Sequence, residues 1–236
     1  MAISIRLRDV LPLLAALVLV VLCFVLPPIY ADEAEPVTAE AETTRVLIID
    51  AGHGGEDGGA TTAEGVPESG INLAIAQKLE ALAGLCGVES VMTRESQDIN
   101  YPESASTTAQ RKQADQKARI ELINAQSDAV LISIHQNFFP TAQPSGCQVL
   151  YGKPEGSREL GELTHKNLTE ALCPTSRRVA APISEDIYLM RSAKCTSILV
   201  ECGFLSNPGE AALLQTEDYQ LKISALLLAS YLQYEA

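Results

Sequence analysis

From Arg45 onward, short runs of aliphatic and β-branched residues alternate with longer stretches in which apolar positions recur every three or four residues. The short runs Arg45–Asp50, Val88–Thr93, Ala129–His135, Cys147–Tyr151 and Ser197–Cys202 read as strands. The longer stretches Gly70–Ala83, Thr108–Ala125, Gly156–Leu172 and Tyr219–Tyr234 read as helices, and in the first of them Ile71, Ala74, Ile75, Leu79 and Leu82 share one face. Continuous apolar strands interleaved with amphipathic helices predict an α/β domain, with a mainly parallel twisted sheet flanked by helices. The stretches 94–107 and 173–186 read as loops, and no internal repeat or second boundary interrupts residues 45–236.

The N-terminal pattern is different. Residues 1–30 carry Arg6, Arg8 and Asp9, followed by an apolar run from Val10 to Ile29 broken only by prolines. Twenty such residues approach the length that crosses a bilayer as a helix, and positive residues ahead of them direct the downstream chain outward. A small residue is expected three positions before a signal cleavage site, yet a cut after Ala31 would find Ile29 there. This favours a retained membrane anchor over a cleaved signal, with the protein extracytoplasmic in either case. Residues 31–44 hold five acids, no base and no apolar period, and read as an acidic tether.

Composition sharpens this division. The chain of 236 residues is 47 % hydrophobic and carries a net charge of −13, which suits a folded core and excludes nucleic acid as a partner, because phosphate binding needs clustered Lys and Arg. The domain at 45–236 keeps −9 of that charge. Five cysteines follow the apolar segment (Cys86, Cys147, Cys173, Cys195 and Cys202), an odd number without a C-x-x-C pair. Free structural thiols are expected, with room for one disulfide.

Two of the three histidines stand at strand exits: His53 follows RVLIID through Ala51-Gly52, and His135 ends AVLISIH, while Glu201 ends SILVEC. In open α/β sheets the ligand crevice lies outside the carboxyl ends of the strands, so these side chains should converge there. Two imidazoles and a carboxylate suit a catalytic zinc, which keeps three protein ligands. The third ligand is open among Asp50, Glu56, Asp57, Glu68 and Glu201; Glu68 opens a helix and is rigidly placed. The glycine-rich loop at 52–59 has Asp57 where a dinucleotide fingerprint needs glycine, and no Gly-Lys-Ser/Thr follows.

Four ordered blocks carry a resemblance. Asp50-Ala51-Gly52-His53-Gly54-Gly55 with Asp57 and Gly58, Glu68 with Asn72-Leu73, Ser133-Ile134-His135-Gln136-Asn137, and Val200-Glu201-Cys202-Gly203-Phe204-Leu205-Ser206-Asn207 resemble the zinc-dependent N-acetylmuramoyl-L-alanine amidases of type 3. Weaker echoes are Thr93-Arg94 with Asp98, Arg119 with Asn124, and Leu189-Met190-Arg191. The likeness spans the whole domain. It implies one Zn²⁺ held by His53, Glu68 and His135, Glu201 as catalytic carboxylate, and hydrolysis of the amide between N-acetylmuramic acid and L-alanine in peptidoglycan. Asp50 and Asn137 are expected to orient ligand rings, and Arg191 is a candidate for touching substrate. Gln136 stands where the family favours a small residue, and Cys195-Thr196 replace a usual proline. A single domain on a short anchored tether resembles the germination-specific subtype, which prepares muramic lactam in the spore cortex; an activating protein partner is compatible with that layout.

Two other readings stay open at this point. A cysteine hydrolase would use Cys202 with His135, although strand alternation turns Cys202 away from Glu201. An inactive or regulatory peptidoglycan-binding module would lack a ligand or the base. His165, among charged neighbours in a helical stretch, reads as solvated, and Arg94 and Arg119 as scaffold or ion-pair partners.

Overall fold

Residues 45–236 are described in the computed structural model; the expected anchor and tether lie outside the described residues. Strand β1 (Val46–Ala51) leads through a glycine-rich loop to helix α1 (Glu68–Leu85), β2 (Ser90–Met92), α2 (Thr108–Ala125) and β3 (Ala129–Asn137). Then come β4 (Gln148–Tyr151), α3 (Ser157–Leu172), β5 (Ala181–Pro182), α4 (Tyr188–Ser192), β6 (Thr196–Phe204), α5 (Pro208–Leu214) and α6 (Glu217–Glu235). No helix of the described residues is long and apolar enough to cross a membrane.

The six strands form one sheet in the order β2-β1-β3-β6-β4-β5. Neighbours from β2 to β6 run parallel, β4 is antiparallel to β6, and β5 is parallel to β4. The α/β expectation holds, with β4 and β5 running opposite to the other four strands.

Strand alternation sends side chains to two different cores. Leu47, Ile49, Val130, Ile132, Ile198 and Val200 pack with residues of α1, α3 and α6. Ile48, Leu131 and Leu199 pack on the opposite face with Ile120 and Ile123 of α2 and Leu189 and Met190 of α4. Burial on both faces explains why these strands lack a polar alternation.

Helix α2 is mostly polar, and only Arg119, Ile120 and Ile123 are buried along it. A capping box stabilises its start: Gln110 N donates to Thr107 Oγ1 at 3.3 Å, and Thr107 N donates to Gln110 Oε1 at 3.2 Å.

Three elements were not legible as periodic patterns. Strand β5 falls inside the stretch expected to be a loop, and α4 and α5 span only 5 and 7 residues. Each is shorter than the window over which a period can be recognised.

Ile132 lies in the middle of the central strand pair and is 0 % exposed. Ile132→Ala is therefore expected to destabilise the domain by about 2–5 kcal/mol. Urea unfolding should show this as a lower midpoint with an unchanged slope.

Candidate metal centre

Alternation places the polar ends of three strands on a common face. Asp50, Ser133, His135 and Glu201 share parity with Ile48, Leu131 and Leu199, so they face the α2 and α4 side. Asp50 is in register with Ser133, and His135 with Glu201. The register slips between His135 and Asn137, ending regular pairing beside the site.

His53 sits just past β1 with φ 59, a left-handed conformation in a residue with a side chain. The backbone from Ala51 to His53 is clamped by two arginines. Arg119 Nη2 donates to His53 O at 2.6 Å and Nη1 to Ala51 O at 2.6 Å. Arg94 donates to Ala51 O at 2.8 Å, Gly52 O at 3.1 Å and Ser69 O at 2.7 Å. Glycine is required at position 52 because a Cβ there would lie 2.3 Å from the His135 ring.

Glu68 opens α1, where the helix terminus favours a negative charge. Both of its oxygens are held: Oε1 accepts from Ala60 N at 2.8 Å, and Oε2 accepts from Gln136 N at 2.8 Å and Asn72 Nδ2 at 3.3 Å. Gly59, at φ +70, leaves the space this carboxylate needs, since a Cβ would come within 2.3 Å of Oε1. Oε1 lies 3.1 Å from His53 Nε2 and Oε2 lies 3.7 Å from His135 Nδ1. Burial would raise the Glu68 pKa, but the imidazoles of His135 and His53 outweigh it and hold the carboxyl well below its usual range.

The donor set fits a metal. His53, Glu68 and His135 each offer one ligand atom, all within 4.8 Å of one another, and the two rings stand nearly perpendicular at 79° with centroids 5.0 Å apart. Two imidazoles and one carboxylate are an ordinary catalytic zinc set. The environment also favours a cation: burial opposes charge on His53, yet Asp57 and Glu68 raise its pKa to about 9. Asp57 Oδ2 is 3.1 Å from His53 Nδ1, though not aligned as a hydrogen bond, and 2.8 Å from Lys112 Nζ.

Glu201 shares a cleft of about 430 Å³ with these residues, walled on one side by Asp186–Met190. Its Oε2 is buried without a hydrogen-bond partner, and burial pushes its pKa up to about 7. Oε2 of this carboxyl therefore faces the cleft without a protein partner.

The remaining expected residues take varied places. Asp50 accepts from Arg119 Nη1 at 2.9 Å, Ser133 Oγ at 2.6 Å and Thr93 Oγ1 at 2.7 Å. Burial opposes its charge, but Arg119 and the two hydroxyls lower its pKa to about 2. It therefore acts on the loop through Arg119 and makes no hydrogen bond to an imidazole. Asn137 O accepts from Leu205 N at 2.8 Å beyond the register slip. Arg191 is exposed, stacks over Tyr188 and lines an adjoining cleft with Tyr151 and Lys153. Arg94 and Arg119 are both buried scaffold.

Cys202 belongs to the core on the other sheet face, where burial raises its thiol far above the usual range. That overturns the cysteine-hydrolase reading. His165 is also corrected: it is 6 % exposed, with Nε2 2.8 Å from Arg178 O. It lies on the buried face of α3 together with Leu160, Thr164 and Leu168.

Sequence reasoning missed the backbone donors of Ala60 and Gln136 and the salt link from Lys112, none of which carries a motif. Gln136 was visible as a departure from pattern, and its side chain donates to Asn72 Oδ1 at 3.1 Å, bracing another of the Glu68 donors.

A family model described as N-acetylmuramoyl-L-alanine amidase matches residues 47–230. The germination-specific N-acetylmuramoyl-L-alanine amidase of Bacillus subtilis is 34 % identical over 191 residues, covering 80 % of this chain and 79 % of that protein. The CwlD amidase of Clostridioides difficile, solved in complex with the GerS lipoprotein, superposes with a TM-score of 0.77 at 36 % identity, over 81 % of this chain and 98 % of that one. The catalytic domain of CwlV from Bacillus (Paenibacillus) polymyxa gives a TM-score of 0.67 at 25 % identity, over 81 % and 98 % of the two chains.

Asp57 places its charge at the Nδ1 edge of the His53 ring, while Nε2 is turned to Glu68. If this donor set holds a divalent metal, Asp57→Asn is expected to weaken its affinity about 10–100-fold, read by competition with a chromophoric chelator. Unchanged affinity would remove Asp57 from the metal centre.

Proposed function

Because the chain belongs to the N-acetylmuramoyl-L-alanine amidase family, we propose that its peptidoglycan amidase activity is zinc-dependent and runs through His53, Glu68, His135 and Glu201. The observation that carries this reading is the unpartnered Oε2 of Glu201, buried in the same cleft as three side chains suited to one metal. When bound, zinc supplies Lewis acidity, polarising the substrate carbonyl and lowering the pKa of water to about 7.

The protein's own groups account for the proton traffic. Glu201 takes a proton from the attacking water as its oxygen joins the lactyl carbonyl carbon. It then delivers that proton to the departing α-amine of L-alanine as the C–N bond breaks. The products are a muramic-acid carboxylate and a free stem peptide. Burial disfavours the charged form of this carboxyl, which favours its taking up a proton from water. Glu68, locked by three donors, keeps its charge and its position throughout. An inactive module would lack a ligand or the base, and none of the four is missing.

The substrate in the cell is spore-cortex peptidoglycan, with muramic-lactam formation as the outcome. Likeness to a germination-specific amidase supports this assignment. The domain works outside the cytoplasmic membrane on an acidic tether, a reading supported by the apolar run at 10–29 and the acids at 31–44. A protein partner that promotes activity is part of the proposal, since the similar C. difficile amidase was solved with a lipoprotein bound.

Metal analysis combined with digestion of defined muropeptides tests the mechanism. Glu201→Gln should retain zinc and lose about 10²–10⁴-fold in kcat, releasing little free stem peptide. Full activity in that variant, or active protein without zinc, would overturn the reading.

A further inference from the structure

Two cysteines far from the metal centre lie against each other. Cys147 immediately precedes β4 and is 1 % exposed, whereas Cys173 caps the end of α3 and is partly exposed. Their Sγ atoms are 3.3 Å apart. The neighbouring Gly146, at φ +89, lets the chain pass close under the turn that follows α3: a Cβ there would lie 3.2 Å from Ser176 Oγ and 3.6 Å from Cys173 Sγ. Gly146 N also donates to Glu210 Oε1 at 2.6 Å, while Glu210 Oε2 accepts from Phe204 N at 2.8 Å. The segment holding Cys147 is thereby fixed to the exit of β6. Among the other cysteines of the described residues, Cys86 is exposed, Cys195 packs on the opposite sheet face, and Cys202, which shares the core cluster of Cys147, turns its Sγ to Val200 O at 3.8 Å.

We propose that Cys147 and Cys173 form an intramolecular disulfide that ties the start of β4 to the end of α3. Its formation in the cell rests on the extracytoplasmic placement proposed above, where disulfides persist; the competence of the pair rests on its geometry. The sulfurs need to close only from 3.3 Å to the roughly 2.05 Å of a covalent bridge.

The oxidant is a small or protein disulfide. The Cys173 thiolate attacks one sulfur of that disulfide, forming a mixed disulfide and releasing the other sulfur as a thiol. The Cys147 thiolate then attacks Cys173 Sγ and displaces the second oxidant sulfur. Two thiols of the protein lose two electrons and two protons, and one external disulfide becomes two thiols. Exposure decides the order, because Cys147 is shut off from an external reagent. The contact has the same polarity: the Cys147 thiol holds Cys173 below the ordinary thiol range, while Cys147 itself is pushed up.

The bridge closes a separation of 26 residues, enough to restrict the unfolded chain substantially. It also fixes the root of the segment that runs from Cys173 through β5 to α4, the wall of the catalytic cleft.

The test uses the full chain in detergent, reduced, freed of reductant, equilibrated with oxidised glutathione, then alkylated and digested. Mass mapping should recover the Cys147 and Cys173 peptides joined, lighter than their sum by two hydrogens. The oxidised protein should melt about 5–10 °C above the reduced protein, and Cys173→Ala should abolish that response to reductant. Recovery of both cysteines separately alkylated or glutathionylated, or a melting temperature indifferent to reductant in the wild type, overturns the proposal. Labelling Cys86 on whole cells with a membrane-impermeant maleimide reports the placement separately, so an unlabelled Cys86 refutes the outward domain without touching the bridge.

Discussion

Beneath the exit of β1 sits a guanidinium that is 4 % exposed and has almost no freedom left. Arg119 donates to Asp50, to Asp115 and to the carbonyls of Ala51 and His53. The left-handed backbone at His53 costs about 1–2 kcal/mol, and a hydrogen bond from a charged donor contributes about 1.5–3 kcal/mol. One bond of 2.6 Å from Arg119 to His53 O is therefore enough to hold the histidine where its ring meets Glu68. The arrangement carries its own expense, because Arg94 is crowded against it. Burial and the neighbouring Arg119 push the Arg94 pKa down to about 10. Asp50 and Asp115 offset that repulsion, so a buried carboxylate that makes no hydrogen bond to an imidazole still supports the imidazole's position.

The sheet imposes a second constraint of the same kind. His135 and Glu201 are opposite one another in adjacent parallel strands, and a one-residue slip in either strand would turn its polar end into the apolar core. Cys202 shows the consequence of parity: one position beyond Glu201, it packs among core residues. Regular pairing continues to His135 and is then abandoned, which lets Gln136 turn its backbone N–H toward Glu68 while Asn137 pairs with Phe204. The irregularity thus serves the placement of Glu68 directly.

Legibility in the sequence followed the length scale of each feature. The long strands and helices were readable because burial on one or both faces leaves a repeating pattern, and the α/β class came with them. His53, His135 and Glu201 were readable because each stands at or just past the end of an apolar run, a place where a polar residue has no packing role. The support for Glu68 was not readable: Ala60 and Gln136 contribute backbone N–H groups, which every residue but proline possesses. Lys112 sits on a helix rich in charge, so nothing distinguished it from its solvated neighbours until Asp57 was seen beside it. His165 misled for the converse reason. Its charged sequence neighbours describe the outer face of α3, whereas its own ring reaches Arg178 O.

Two carboxylates of the same cleft end with opposite character, and their surroundings explain the difference. Glu68 meets two backbone N–H groups, an amide and two imidazoles, all of which favour the charged form. Glu201 is enclosed without a partner at Oε2, so burial dominates and its pKa rises. Surroundings of this kind drive the two carboxyls apart, one held charged and one pushed toward its neutral form. The separation also depends on the first constraint. Glu68 stays charged partly because His53 is beside it, and His53 is beside it because Arg119 holds the backbone in a conformation it would otherwise leave. Replacing the identity of either acid would remove a role, but loosening the guanidinium would blur the distinction between both.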